Sequence, residues 1–103
     1  MNKLSKAELD ALVGEAIVDC YDREEQAAGL YTMIQDNLAT LFQTQVLGLD
    51  VVVEDVDLRD DACVVAICTR GGFRQAVPIL DLPLPAPCPE GAAWIDAYRH
   101  WRG

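Results

Sequence analysis

The chain has 103 residues, enough for one domain with a single modest core. Seventeen acids stand against eight Lys+Arg, a net charge of −9. That field repels phosphate backbones and anionic lipid, which argues against nucleic-acid and membrane partners, and it attracts cations and basic proteins.

The acids are not spread evenly. All but Asp81, Glu90 and Asp96 lie between Glu8 and Asp61, where the only bases are Arg23 and Arg59. No apolar run approaches the ~18 residues of a membrane span. The start, Met-Asn-Lys-Leu-Ser-Lys, is polar at once and has none of the apolar stretch of a secretory signal, so a cytoplasmic protein is expected. Cys20, Cys63, Cys68 and Cys88 form no C-x-x-C pair, and His100 is the only histidine. A structural zinc site is therefore not expected. The cysteines read as small apolar residues in a reducing compartment.

Ser5-Lys-Ala-Glu8 is a capping box, and Leu9, Leu12, Val13, Ala16, Ile17 and Cys20 follow it at helical spacing. A first helix is expected from about Lys6 to Cys20, with Asp19 at the edge of its apolar face. A carboxylate there is partly desolvated and needs a donor or a cation. Asp22-Arg-Glu-Glu25 repeats the capping signature. The second helix then buries Ala27, Leu30, Tyr31, Ile34 and Leu38. Gly29 weakens that helix by about 1 kcal/mol against alanine, which points to close approach of another segment.

Strand patterns follow from Leu41. Leu41–Leu47 ends at Gly48. Leu49, Val51 and Val53 alternate, but Val56 and Leu58 continue in the opposite phase, which predicts a bulge near Glu54-Asp55. Arg59-Asp60-Asp61 is a turn. Ala62–Thr69 reads as a buried central strand, with Cys63 and Cys68 on opposite faces. Gly71-Gly72 is a hairpin signal, and Pro78 marks Phe73–Leu80 as an edge or bulged strand. Leu82-Pro-Leu-Pro-Ala-Pro-Cys-Pro89 reads as a packed polyproline-like strap. In the last helix Trp94, Ile95, Tyr98 and Trp101 share one face. The expected fold is α+β. Two N-terminal helices precede about four antiparallel strands, as an SH3-like barrel or a curled sheet, and a C-terminal helix docks on the body.

Catalytic patterns are missing from the sequence. It has no G-x-S-x-G, no Cys/His order suited to nucleophilic attack and no phosphate loop. No enzyme is expected. Hard-cation binding fits better, because Asp19, Asp22, Glu24 and Glu25 crowd into Ile17–Gln26 with only Arg23 among them. An EF-hand does not fit. In the best window, from Asp55, the glycine position is Asp60 and the closing glutamate position is Ala66. Any calcium site must come from separate segments.

Several stretches in order carry a resemblance: Val18-Asp-Cys-Tyr-Asp-Arg-Glu-Glu-Gln26, Asp36, Val46-Leu-Gly48, and Gly91-Ala-Ala-Trp-Ile-Asp-Ala-Tyr-Arg-His-Trp101. Over about residues 9–103 the chain resembles the small cyanobacterial-type calcium-binding protein family. The resemblance implies a compact acidic domain that buffers or senses calcium without EF-hands. It implies Asp19, Glu24, Glu25 and Asp36 as acids of the site. Arg23, Gln35 and Leu49 stand where it implies further acids, and each swap lowers the ligand charge. Glu25 and Asp36 are about 16 Å apart along one helix and cannot share an ion. One site would use Asp19, Asp22 and Glu24 or Glu25, and another Asp36 with Asp57 or Asp81. For Asp81 the competing reading is a backbone-capping aspartate. The alternative function is an acidic module that docks a basic protein partner without a physiological metal.

Overall fold

Three helices pack on one face of an open, four-stranded antiparallel sheet in the computed structural model, which describes residues 4–103. Of the polar start, Met1-Asn2-Lys3 lies outside the described residues.

Helix α1, Lys6–Ala16, opens on the full capping box: the Ser5 hydroxyl accepts from Glu8 N, and Ser5 N donates to the Glu8 carboxylate. It ends four residues before the predicted Cys20. Ile17 is its C-cap, and Asp19 then adopts the left-handed region at φ 63°. Asp19 is thus exposed in a connecting turn and does not flank a helix's apolar face. Aspartate tolerates that backbone better than most residues, because its short polar side chain bonds locally. Helix α2, Arg23–Asn37, is capped by Asp22, whose carboxylate accepts from Glu25 N at 2.8 Å. It buries Ala27, Leu30 and Ile34, and Leu38 just beyond it is buried too. Gly29 faces the Ala16 carbonyl so closely that a Cβ would collide with it. The helix-weakening glycine is what lets α1 cross α2 there.

The strands are β1 (Phe42–Val46), β2 (Leu49–Arg59), β3 (Cys63–Arg70) and β4 (Phe73–Pro78). They pair in chain order. The register shifts between Val53 and Asp55, so Glu54 is the extra residue of a bulge. The bulge puts Val53 and Val56 on the same face, which is the phase slip visible in the sequence. Both glycines of the Gly71-Gly72 turn have positive φ, at 54° and 89°, as a tight primed hairpin requires. Pro78 closes β4, an edge strand, where its missing N–H costs no ladder bond. Edges β1 and β4 do not pair, so the sheet is not closed into a barrel.

A 3-10 turn, Ile79–Asp81, leads into the proline strap. Leu82 is buried in the core, and the Thr44 hydroxyl of β1 donates to the Pro83 carbonyl. The strap therefore crosses the core side of the sheet from β4 to β1. Helix α3, Ala92–Arg102, then packs on α1 and α2. Ile95 and Tyr98 are buried, while Trp94 and Trp101 lie at the core's margin. Cys68 faces the core and Cys63 the other side, as their odd spacing requires. Cys88 departs from the expected pattern: it is exposed on the strap.

Candidate functional site

Helix α3 organises one end of the molecule through its last two turns. The Tyr98 hydroxyl, on a residue only 1% exposed, donates to the Ala62 carbonyl at 2.7 Å and accepts from Val64 N at 3.0 Å. Arg102 Nη1 donates to the Asp61 and Ala62 carbonyls at 3.2 and 2.9 Å. These bonds hold the β2–β3 turn, where Asp61 and Ala62 both have positive φ. Trp101 Nε1 donates to Gln26 Oε1 at 2.9 Å, and the Arg23 guanidinium lies 4.7 Å from the Trp101 ring centroid. The first turn of α2 is thus tied to the same helix.

Between these two tied segments lies a groove of about 490 Å³. Arg23 and Glu24 line it from α2, and Arg59, Asp60 and Asp61 from the β2–β3 turn. Arg59 Nε is bonded to Asp57 Oδ2 at 2.8 Å. Arg23 is drawn to the indole. The cation–π contact takes the one base inside Ile17–Gln26 and turns it to a ring instead of to the neighbouring acids.

The other predicted residues fall as follows. Asp22, Glu24 and Glu25 form the cap and first turn of α2, where carboxylates suit the positive end of the helix dipole. Asp19 occupies the left-handed turn before them. Asp36 lies exposed in the last turn of α2, which carries no base. A carboxylate there opposes the dipole. Asp81 is exposed in the 3-10 turn, and its carboxylate makes no hydrogen bond among the described residues, so it caps nothing. Ion pairs among those residues join Lys6 to Asp10, Arg59 to Asp57 and His100 to Asp10. None involves Asp19, Asp22, Glu24, Glu25, Asp36 or Asp81.

The turn acids Asp60 and Asp61 were not among the candidates, and the structure brings them to the groove that Glu24 lines. Their sequence signal was only that of a turn. Among the described residues, no three Asp, Glu, His or Cys side chains form a group arranged to hold a metal ion. Nor is any helix long and apolar enough to cross a membrane. Comparison with protein-family models, with curated proteins and with solved structures found no match to this chain.

Among the described residues, three groups titrate away from their usual range. The hydrogen bond from His100, 2.6 Å from Asp10, holds the Asp10 carboxyl below its usual value, with Lys6 adding to the effect. Burial pushes the Tyr31 phenol up, helped by the charges of Asp57 and Asp55. Burial also raises the Cys68 thiol, so that sulfur stays protonated and unreactive.

Proposed function

We propose that the protein binds calcium ions at the acidic groove between α2 and the β2–β3 turn. Glu24, Asp60 and Asp61 line the groove beside Arg23 and Arg59, and Asp19, Asp22 and Glu25 lie within five residues of Glu24 along the chain. One observation carries the reading: these carboxylates have no ion-pair partner among the described residues, and Arg23, the base in their midst, is engaged by Trp101. Carboxylates without an ion-pair partner lower their free energy by attracting a cation. Calcium suits them because it accepts oxygen ligands in loose geometry and keeps waters where the protein supplies too few. The sequence resemblance to a calcium-binding family supports the same reading. Asp36 and Asp81, each exposed and without an ion-pair partner among the described residues, are candidates for a second, weaker site. Because no ligand group stands preassembled, affinity falls at the weak end of the calcium scale, about 10⁻⁴–10⁻³ M. The reading assigns the protein to the cytoplasm, in keeping with four free thiols.

Calorimetric titration of calcium into metal-free protein tests this. A saturable heat with a dissociation constant below a few millimolar supports it; no heat at physiological salt sinks it.

A second reading is favoured by the lack of a grouped ligand set. The acidic end docks a basic protein partner, and any cation is incidental. A complex that dissolves as salt rises but is indifferent to chelator selects this alternative.

A further inference from the structure

The opposite end of the sheet carries the reverse chemistry. The β1–β2 turn at Leu47-Gly48 and the β3–β4 turn at Gly71-Gly72 project together at the end away from the acidic groove. Leu47 is 97% exposed, Phe73 82% and Leu49 51%. Large side chains left in water at one end of a sheet are candidates for a contact surface. Arg70 and Arg74 flank Phe73. Among the described residues every other Lys or Arg is engaged: Lys6 with Asp10, Arg59 with Asp57, Arg23 over Trp101, Arg99 with the Leu80 carbonyl, and Arg102 with the β2–β3 turn. Arg70 and Arg74 have no such partner. In a chain of net charge −9, the two unengaged bases among the described residues lie on one hairpin, Arg70 on the Phe73 face of the sheet and Arg74 on the opposite face.

The backbone adds a receptor shape. The β2–β3 ladder stops at Val52–Thr69, although β2 extends back to Leu49 and β3 on to Arg70. The two hairpin arms diverge, leaving a notch of about 290 Å³ lined by Gln43, Asp50, Val52, Thr69 and Arg70 among others. The register places Gln43, Val52, Thr69 and Arg74 in one row across the four strands, so the row at the notch ends on a base.

We propose that this end docks an extended acidic segment of a partner protein that carries bulky apolar side chains. Its backbone enters the notch where the ladder has ended, its apolar residues pack on Phe73 and Leu49 on one face, and its carboxylates meet Arg70 at the edge of that face and Arg74 on the opposite face. Charge complementarity selects this occupant. Two arginines suit one acidic segment, whereas the net charge of −9 opposes both a second copy and an anionic membrane. Asp50, held by Gln45 Nε2 at 3.0 Å, lines the notch and sets the segment's register by repelling acids placed against it.

The test is amide-shift mapping by NMR on the full chain, in chelator, so that its outcome is independent of calcium binding. The probe is a synthetic peptide alternating Asp or Glu with Leu and Phe; the control replaces its acids by Asn and Gln. Saturable shifts confined to residues near Val51, Val52 and Arg70–Gln75 are expected with the acidic peptide alone. Arg70→Glu with Arg74→Glu, and separately Phe73→Ser, weaken binding about tenfold or more, the factor that one lost charge-assisted contact produces. Asp50→Asn tightens it. These positions are exposed, so the variants keep the fold, which the unperturbed core amides verify. Shifts that are absent, that scatter or that appear equally with the control overturn the proposal. So does concentration-dependent shifting of the same amides without peptide, which assigns the end to a second copy. Arg74-dependent sedimentation with phosphatidylserine vesicles, in place of peptide binding, overturns it in favour of a membrane surface.

Discussion

Two residues change meaning once their surroundings are visible. Asp19 looked like a carboxylate stranded at a core edge; its positive φ gives it a conformational reason to be aspartate. Asp36 is the opposite case. It sits in the last turn of α2 with no base beside it, where the helix dipole disfavours negative charge. Asp36→Asn should therefore stabilise the metal-free protein by about 0.3–1 kcal/mol, measured by urea unfolding. Gly29→Ala shows how packing overrides propensity. In an exposed helix the change would stabilise by about 1 kcal/mol, but here the Cβ strikes the Ala16 carbonyl, so a net loss in the same assay is expected. Tyr98→Phe removes the partner of Val64 N and of the Ala62 carbonyl and should cost about 1–3 kcal/mol. Asp10 sets a pH dependence. Its folded carboxyl titrates below the ordinary 3.8, so its stabilising effect is present above that value and is lost as the pH falls through the lowered one. Asp10→Asn should flatten the acid limb of a stability-versus-pH profile.

At the scale of elements, most boundaries were written locally. The capping box at Ser5, the N-cap at Asp22, the Glu54 bulge, the Gly71-Gly72 turn and the Pro78 edge each rest on residues within a few positions of one another. Sequence carries such features because the physics that makes them is short-ranged. The end of α1 was not legible. Ile17 and Cys20 continue the apolar period, and the helix stops instead where Asp19 turns left-handed beyond the Ala16–Gly29 crossing. The open sheet was not legible either, because the same four strands suit a barrel or an open meander. The strap decides it. By crossing from β4 to Thr44 of β1, it covers the core that a closing pair of edges would otherwise enclose.

At the scale of the whole molecule the chain is polarised. One end gathers Glu24, Asp60 and Asp61 around a groove; the other presents Arg70, Phe73 and Arg74. Neither pairing could be read from the sequence, since each depends on which end of the sheet meets α2 and α3. The acidic run itself was plain, and Asp22, Glu24 and Glu25 lie where the capping signature put them. What topology added was the second acidic segment, Asp60-Asp61, and the removal of Arg23 to the Trp101 ring. The central claim is that this groove takes calcium, and thermal unfolding with and without the ion tests it most directly. A ligand at ten times its dissociation constant stabilises the native state by about 1.4 kcal/mol, several degrees of melting temperature for a domain of this size. Wild-type protein should show that rise in millimolar calcium. The paired change Glu24→Gln and Asp61→Asn, which keeps size and the left-handed turn, should abolish it. No rise in the wild type, or an equal rise in the variant, would contradict the account.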